Sequence, residues 1–294
     1  MSRQVVCTSS SGLDYLGLNH DIELIRLRIF MNNVEFTDGK NINLKSLPDL
    51  MLRPSYTPTR TSPAPKTEVA ELFDKLLDKG VKEVFVVCLS SGISESYATI
   101  SEVASRYAGK MDIHIYDTKE INICEAVLAL EAQRLMKQGV TMPDITQRLD
   151  VLRASHSMMF ALEDLTHLIN NKKLSKAGGF IANLLNIKPV LQVTDAGIIE
   201  PVNRIRKFER ALEHVIDVYA DTLRRPDSFA YILSTGRTLM DVSFAQMIKD
   251  RVGITNLPVL PTSAISLANH GPTGVGLCVF EGEIPESIQR LSQN

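Results

Sequence analysis

The sequence predicts an α/β protein of two domains, an N-terminal domain with a mostly parallel sheet flanked by helices and a C-terminal α+β domain. The first observation is that strands and helices alternate through residues 1–155, which is typical of a parallel sheet covered by helices. The second is that hairpins mix with helices after Ser157. The 294 residues suffice for two ordinary domains, which we expect at 1–157 and 158–294.

In the first domain, apolar spacing and turn residues mark each element. The β-branched run at 84–89 is typical of a buried strand, and Gly80 ends the amphipathic helix before it. Four prolines in residues 53–65 predict an irregular loop. The predicted strands cover 4–7, 23–30, 34–36, 84–89 and 113–116, and the predicted helices cover 44–52, 67–78, 97–108, 122–137 and 145–155.

In the second domain, the clearest motif is a hairpin whose tight turn at 195–197 joins two strands. The glycine-rich residues 268–276 are expected as a loop. The predicted strands cover 160–162, 188–193, 198–202, 229–234 and 275–280, with an extended piece at 258–261, and the predicted helices cover 165–169, 208–223 and 239–251.

The composition limits the class of protein. With 44% hydrophobic and 22% charged residues it is that of a globular protein, and a net charge of −2 predicts no surface for nucleic acid. The four cysteines form no CxxC pair, so we expect neither a zinc framework nor disulfides. There is no apolar leader and no apolar run of about 18 residues, which predicts a cytoplasmic protein without stable membrane insertion.

Hydroxyl-rich loops follow several of the predicted parallel strands. Residues 8–12 follow the first strand, and residues 90–96 follow the strand at 84–89. Open α/β sheets bind ligands at the carboxyl ends of their strands, where helix N-termini favour anions. The loop at 90–96 therefore predicts a polar site for an anionic or carbonyl head group. Serine is also a preferred helix cap, so capping alone is the alternative interpretation.

Nucleotide, hydrolase and metal motifs match poorly. Residues 271–276 are rich in glycine but lack the Gly-Lys-Ser/Thr ending of a P-loop and the spacing of a dinucleotide fingerprint. The segment 92–96 around Ser94 lacks the second glycine of a nucleophile elbow. No two histidines stand four residues apart with an acidic third group, so we expect no metal and no cofactor.

The residue types favour binding over catalysis. Neutral hydroxyls and the imidazole of His270, whose backbone the following Gly271 and Pro272 restrict, satisfy a carboxylate without a strong ion pair. A structural role for His270 is the alternative. The apolar segment 180–185 is the expected slot for a tail, and each buried methylene contributes about 0.8 kcal/mol.

Several short motifs carry a family resemblance through their order and spacing. They are residues 8–13 (TSSSGL), 60–63 (RTSP), 90–97 (SSGISESY), 186–191 (NIKPVL), 204–206 (RIR) and 270–274 (HGPTG). Over nearly its whole length the chain resembles the DegV family of bacterial fatty-acid-binding proteins. The resemblance implies two α/β domains with a long-chain fatty acid buried between them.

The resemblance also implies site residues and a partner. Carried over by motif, the carboxylate ligands are Thr61, Ser62, Ser94 and His270, with Ser91 a further candidate in the second loop. Some members of the family are the lipid-carrier subunit of a bacterial fatty-acid kinase and hold no ATP site of their own. In that setting Arg204 and Arg206 match a basic position of the kinase-docking surface, and a solvated helix start is the alternative for both.

The chain departs from the family pattern at several positions. Thr8 stands where the family has aspartate, and Pro63 follows Ser62 where the family has glutamine. Lys172-Lys173 replaces Gly-Arg, and Glu95 replaces a glycine after the key serine. These changes bear on the kinase partnership and on the geometry around the head group.

Two other functions compete with a non-catalytic fatty-acid carrier. A hydrolase or acyltransferase using Ser94 and His270 requires the two side chains within hydrogen-bond reach. An interaction module that has lost its lipid predicts a collapsed pocket. A stoichiometric fatty acid released on denaturation would separate the carrier from both.

Overall fold

The computed structural model describes residues 2–53, 58–174, 187–282, 284–289 and 291, which form three sheets with flanking helices. The strands are β1 (Ser2–Thr8), β2 (Glu23–Ile25), β3 (Arg28–Met31), β4 (Val34–Thr37), β5 (Arg60–Ser62), β6 (Val81–Cys88), β7 (Asp112–Asp117), β8 (His156–Leu162), β9 (Val190–Val193), β10 (Ile199–Asn203), β11 (Ser228–Ser234), β12 (Val259–Pro261) and β13 (Gly274–Glu281). The helices are α1 (Leu47–Met51), α2 (Lys66–Asp78), α3 (Ser96–Ala104), α4 (Ile123–Lys137), α5 (Met142–Ala154), α6 (Thr166–Asn170), α7 (Phe208–Leu223), α8 (Thr238–Val252), α9 (Ala264–His270) and α10 (Glu286–Gln289).

The first sheet is parallel throughout and has the order β2-β1-β6-β7. Val6 of β1 lies between Glu23 of β2 and Val86 of β6. The run from Val84 to Cys88 is fully buried because helices cover the sheet, with α4 against β1 and β6 and α2 against β6. The predicted α/β class is confirmed, and the hydroxyl-rich loops after β1 and β6 lie at one edge.

The second sheet has six strands in the order β10-β9-β8-β13-β11-β12, antiparallel except for the β11–β12 pair. Alternate residues of β8 point to opposite faces. Met158 and Phe160 belong to the core shared with the first half, whereas Met159 and Ala161 pack with α7 and α8. One face of this sheet therefore packs against the parallel-sheet half, and the other face packs against α7 and α8.

A small antiparallel sheet, β4-β3-β5, completes the architecture. The predicted turn at Asn32 and Asn33 is present, with φ of 50° and 61°, values that a tight hairpin requires and asparagine tolerates. The expected irregular loop at 53–65 is wrong for Arg60–Ser62, which pairs with β3 as an edge strand. This short stretch contains no proline, so its backbone N–H groups can join the ladder.

The single strand predicted at 23–30 is also wrong, because the chain divides there between two sheets. Glu23–Ile25 pairs with β1, and Arg28–Met31 pairs with β4 and β5. Between them the Arg26 guanidinium donates to Asp14, and the Leu27 amide donates to the Ser9 hydroxyl. These contacts with distant residues take the chain out of the parallel sheet.

The expected loop at 268–276 begins inside a helix. Ser263 caps α9, and its hydroxyl accepts a hydrogen bond from the Ser266 amide at 3.1 Å. Gly271, with φ of 85°, follows the last helical residue, so His270 lies at the helix end and not in a loop. The apolar slot expected at 180–185 lies outside the described residues.

The domain limits at 157/158 stay a prediction, although β8 starts at His156 and belongs wholly to the six-stranded sheet. Across the described ranges, none of the helices combines the length and the apolar character needed to cross a bilayer. The predicted helix at 208–223 is confirmed with the same limits, since its apolar residues follow one stripe.

Candidate functional site

A largely apolar cavity lies between the carboxyl edge of the parallel sheet and the inner face of the six-stranded sheet. The loops after β6 and β7 line it from one side, and β8, β11 and β13 line it from the other. The apolar lining residues are Leu89, Ile93, Ile121, Met158, Phe160, Leu162, Leu168, Ile199, Leu233, Ile265 and Val275. The apolar part of the cavity is therefore formed largely by residues on strand faces, which the sequence pattern predicts only as core residues.

The polar lining is gathered around α9. It consists of Asn122, Lys173, Thr235, Thr262, Ser266, Asn269 and His270. Because α9 runs directly into β13, and Gly274 at the start of β13 lies opposite Leu162, this group lies at the Leu162 end of β8. The cavity therefore has a polar end near α9 and an apolar body along β8.

His270 enters the cavity as a neutral base. Its Nδ1 lies 2.7 Å from the Gly271 carbonyl oxygen, which only accepts, so Nδ1 carries the proton. Its Nε2 lies 3.5 Å from the Thr262 hydroxyl. Burial lowers the pKa of His270 to about 4, and the neighbouring imidazole of His167 acts in the same direction. At pH 7 the Nε2 lone pair is consequently free of a proton.

Asn122 is a lining residue that the sequence analysis missed. Its side-chain oxygen accepts from the Thr262 hydroxyl at 3.0 Å and from the Ser263 amide at 3.1 Å. Its φ of 57° lies in the left-handed region, which asparagine adopts more readily than other non-glycine residues. The signal available in the sequence was an asparagine placed just before a long helix.

Thr61 lies beside the polar end of the cavity, whereas the Ser62 side chain contacts only the next residue along the chain. The Thr61 hydroxyl donates to the Asn269 side-chain oxygen at 3.1 Å, next to His270 along the chain. The Ser62 hydroxyl donates to the Pro63 carbonyl at 3.1 Å. Both side chains are partly buried, and neither belongs to the cavity lining itself.

The serines of the second loop make contacts inside the protein. The Ser91 side chain is exposed and its hydroxyl donates to Asp117 at 2.6 Å. The Ser94 hydroxyl lies 3.0 Å from that of Ser96 and accepts from the Ser96 amide at 3.2 Å. Ile93 is the member of this loop that lines the cavity.

Lys173, one of the departures from the family pattern, brings a cation to the cavity. Its ammonium donates to the Ile93 carbonyl at 2.9 Å. Burial lowers the pKa of Lys173, and the negative charge of Glu95 opposes that shift. Glu95 itself is exposed, so its carboxylate is solvated and paired electrostatically with Lys173.

Thr8, the last residue of β1, is hydrogen-bonded to a buried acid. Its hydroxyl donates to Glu125 on α4, and the Ser10 hydroxyl donates to the other carboxylate oxygen at 2.7 Å. Burial raises the pKa of Glu125 to about 8, although these hydroxyls lower it in part. A carboxyl group is thus present beside this loop, supplied by a helix from a distant part of the sequence.

The two predicted docking residues, Arg204 and Arg206, are exposed on the segment between β10 and α7.

The hydrolase alternative needs a hydrogen bond between Ser94 and His270. The hydrogen bonds of these two described side chains go instead to Ser96, Gly271 and Thr262. The geometry does not assemble a nucleophile with its base.

The fold and the cavity define a class of α/β protein in which a parallel sheet and a six-stranded sheet enclose an apolar space. The chain belongs to the DegV family: the family model described as "Uncharacterised protein, DegV family" matches residues 3–282. The protein DegV of Bacillus subtilis is 28% identical over 200 residues, which cover 68% of this chain and 70% of that protein.

Solved structures agree with this assignment at the level of the fold. The fatty acid binding DegV family protein SAG1342 from Streptococcus agalactiae has a TM-score of 0.84 and 19% identity, and the match covers 96% of this chain and 100% of that chain. A stearic acid-binding protein from Eubacterium ventriosum has a TM-score of 0.80 and 19% identity, with 96% and 98% covered. The predicted family membership is confirmed by the family model.

Proposed function

We propose that this chain binds a long-chain fatty acid between its two domains as a carrier without catalysis or cofactor of its own. The observation that carries the proposal is a single cavity with an apolar body along β8 and a polar end at α9. That division matches a ligand with a long apolar tail and a small polar head. The names of the S. agalactiae and E. ventriosum proteins, which state fatty acid and stearic acid binding, support the same ligand class.

The carboxylate is proposed to bind among Thr61, Asn269 and His270. The Thr61 hydroxyl is already at this end through its hydrogen bond to Asn269. Ser62, Ser91 and Ser94 remain in the proposed set, but their hydrogen-bond partners Pro63, Asp117 and Ser96 do not line the cavity, whereas the partner of Thr61 does. Thr61 and His270 therefore carry the proposal.

A second part of the proposal concerns presentation to a fatty-acid kinase subunit. Arg204 and Arg206 are exposed beside the β9–β10 hairpin, whose turn packs on the loop after β6. Exposed guanidinium groups are suited to an acidic docking surface. A purified kinase subunit with ATP should convert the bound fatty acid to an acyl phosphate, and Arg204→Glu with Arg206→Glu should slow that conversion while leaving fatty-acid affinity unchanged. Conversion at an unchanged rate in this double variant would contradict the docking role.

The decisive experiment for binding is native mass spectrometry of the purified protein, followed by organic extraction and identification of the released lipid. We expect a fatty acid in stoichiometric amount. Absence of lipid, together with no uptake when fatty acids are supplied, would overturn the proposal, and hydrolysis of test esters would then revive the Ser94–His270 alternative.

A matched pair of variants tests the head-group site. Thr61→Val removes the hydroxyl beside Asn269. If that hydroxyl contacts the carboxylate, the variant should bind the fatty acid about 5- to 30-fold more weakly. Thr222→Val removes a hydroxyl that donates to Glu281 on the surface and should leave affinity unchanged. Equal affinities for the two variants would place the head group elsewhere.

A further inference from the structure

A second cluster of chemistry-bearing side chains lies between the two sheets, beyond the apolar body of the cavity. Glu120 from the loop after β7, Cys124 from the first turn of α4 and His156 from the start of β8 each offer one ligand atom, and these atoms lie within 4.8 Å of one another. All three residues are buried. The set combines carboxylate oxygen, thiol sulfur and imidazole nitrogen.

The carboxylate of Glu120 is incompletely paired. Its Oε1 lies 2.9 Å from His156 Nδ1, but its Oε2 is buried and has no hydrogen-bond partner among the described residues. The Glu120 side chain is only 9% exposed. A buried carboxylate oxygen without a partner is costly, and a cation is one of the groups that offset this cost.

His156 is held in an orientation that suits a metal ligand. Its Nε2 lies 3.2 Å from the Tyr231 hydroxyl, and its ring packs 4.6 Å from that of Phe280. Tyr231 lies opposite Cys278 in the β11–β13 pair. Because Oε1 of the Glu120 carboxylate only accepts, Nδ1 of His156 carries the proton in the metal-free protein. A metal at Nδ1 requires this proton to move to Nε2, which then donates to the Tyr231 hydroxyl and so keeps the ring in place, as outer contacts do around metal-bound histidines.

We propose that Glu120, Cys124 and His156 form a zinc site that joins the parallel-sheet half to the six-stranded sheet. One nitrogen, one sulfur and one oxygen ligand match the preferences of Zn²⁺, whose ligand atoms in a tetrahedral site lie about 3.5 Å apart. The three candidate atoms lie within 4.8 Å of one another, so side-chain rotation has to bring them to that spacing. A water molecule takes the fourth position, since the described residues offer three ligand atoms here.

The balance of charges favours a zinc ion at this site. Zinc binding releases the thiol proton of Cys124, so a thiolate and a carboxylate neutralise the two positive charges of the ion. The alternative occupant of the space between Glu120 and His156 is the proton of the hydrogen bond that joins them.

The proposed zinc ligands are not close together in the sequence, so a search for metal-binding motifs does not find them. His156 is 36 residues from Glu120 and belongs to a different sheet. Along β8, Met158, Phe160 and Leu162 line the cavity after His156. Zinc would therefore lie beside the cavity, next to the lining residues Ile121 and Asn122, which stand between Glu120 and Cys124 in the chain.

The test is zinc titration of the full-length protein against a chromogenic chelator, after removal of metal, with Cys124→Ala and Cys88→Ala as a matched pair. Cys88 is an equally buried free thiol outside the cluster. We expect wild type and Cys88→Ala to bind a single zinc ion and to gain thermal stability. Cys124→Ala should bind more than about 100-fold more weakly, since loss of an outer contact alone costs about 10- to 100-fold.

A cobalt spectrum gives a second measurement that needs no variant. Co²⁺ in the wild-type site should show a thiolate-to-cobalt charge-transfer band that zinc abolishes. No metal binding by the wild type, binding without that band, or equal affinity of the two alanine variants would each overturn the site. The last two results would indicate an adventitious ion, and the first would leave the Glu120–His156 hydrogen bond without a metal.

Discussion

The Ser90 hydroxyl donates a 2.6 Å hydrogen bond to the Gly197 carbonyl oxygen, and this bond joins the loop after β6 to the turn between β9 and β10. Gly197 has a φ of 74°, and a Cβ there would lie 2.2 Å from the Ser90 hydroxyl oxygen. A Cβ on Gly92 would in turn lie 2.6 Å from the Gly197 carbonyl oxygen. The two glycines allow the backbones of the two halves to approach each other beside the cavity.

Gly197→Ala should therefore destabilise the protein more than its backbone conformation alone explains. The matched control is Gly253→Ala, where φ is 84° but no atom of the described residues, apart from the two chain neighbours, lies within 4 Å of the added Cβ. The control should cost about 1 kcal/mol in free energy of unfolding, and Gly197→Ala about 1–3 kcal/mol more because of the clash. Urea denaturation measures both values. Equal losses of unfolding free energy in the two variants would mean that the contact between the halves adjusts to the added methyl group without destabilising the protein.

Binding of a fatty acid should take up about one proton at pH 7. The free carboxylate is ionised and the free His270 imidazole is neutral, because burial lowers the pKa of His270 to about 4. A carboxylate beside the Nε2 lone pair is stable only with a proton between them, so binding raises that pKa. Affinity should consequently fall as pH rises, by up to about tenfold per unit.

Calorimetric titration in buffers of different ionisation enthalpy measures this proton uptake. His270→Gln keeps a hydrogen-bonding side chain but cannot be protonated, so its binding should proceed without uptake. Uptake of the same size in His270→Gln would assign the proton to another group, and no uptake in the wild type would mean that hydroxyls alone hold the carboxylate.

Glu125 should make the stability depend on pH in the direction opposite to most carboxyl groups. Burial raises its pKa from 4.5 to about 8 in the folded protein, so the folded state keeps its proton where the unfolded state has lost it. The free energy of unfolding of the wild type, measured relative to Glu125→Gln, should therefore fall as pH rises from about 4.5 to about 8. The slope approaches about 1.4 kcal/mol per pH unit.

Urea unfolding across this pH range measures the Glu125 contribution. Glu71→Gln, which alters an exposed carboxyl group of α2, is the matched control and should show no such trend. A difference between wild type and Glu125→Gln that stays constant with pH would show that Glu125 ionises in the folded protein as it does in the unfolded chain.

Met158→Trp should shorten the fatty acid that the protein prefers. Met158 lies on the inner face of β8 between His156 and the rest of the apolar lining, so a larger side chain there removes space for the end of the tail. Each methylene that no longer fits costs about 0.8 kcal/mol, or roughly fourfold in affinity. Affinities for a series of chain lengths measure the shift. Val242→Trp, at an exposed position of α8, should leave the preference unchanged.

Elements determined by local pattern could be predicted, and elements determined by distant contacts could not. The amphipathic stripe of residues 208–223 specified α7 to its limits. The division of residues 23–30 between two sheets depends on the Leu27 amide bonding to Ser9, a contact that no local pattern encodes. The edge strand Arg60–Ser62 likewise exists because β3 offers a partner.

The candidate site shows the same limit. Thr61 and His270 were found through motifs, and the structure brings Thr61 to Asn269, the neighbour of His270. Asn122 and the lining of β8 were missed because their roles come from side-chain orientation in the assembled fold. The apolar slot was assigned to a segment outside the described residues, whereas the lining that the structure describes comes largely from strand faces.

The order of strands in the second sheet has a consequence for synthesis of the protein on the ribosome. β13, at residues 274–281, lies between β8 and β11 and is the last strand along the chain among the described residues. Until it emerges, β8 has no neighbour on that side, and α9 has only just been made. The cavity wall therefore closes only after β13 has been synthesised, so a nascent chain that still lacks β13 cannot enclose a ligand.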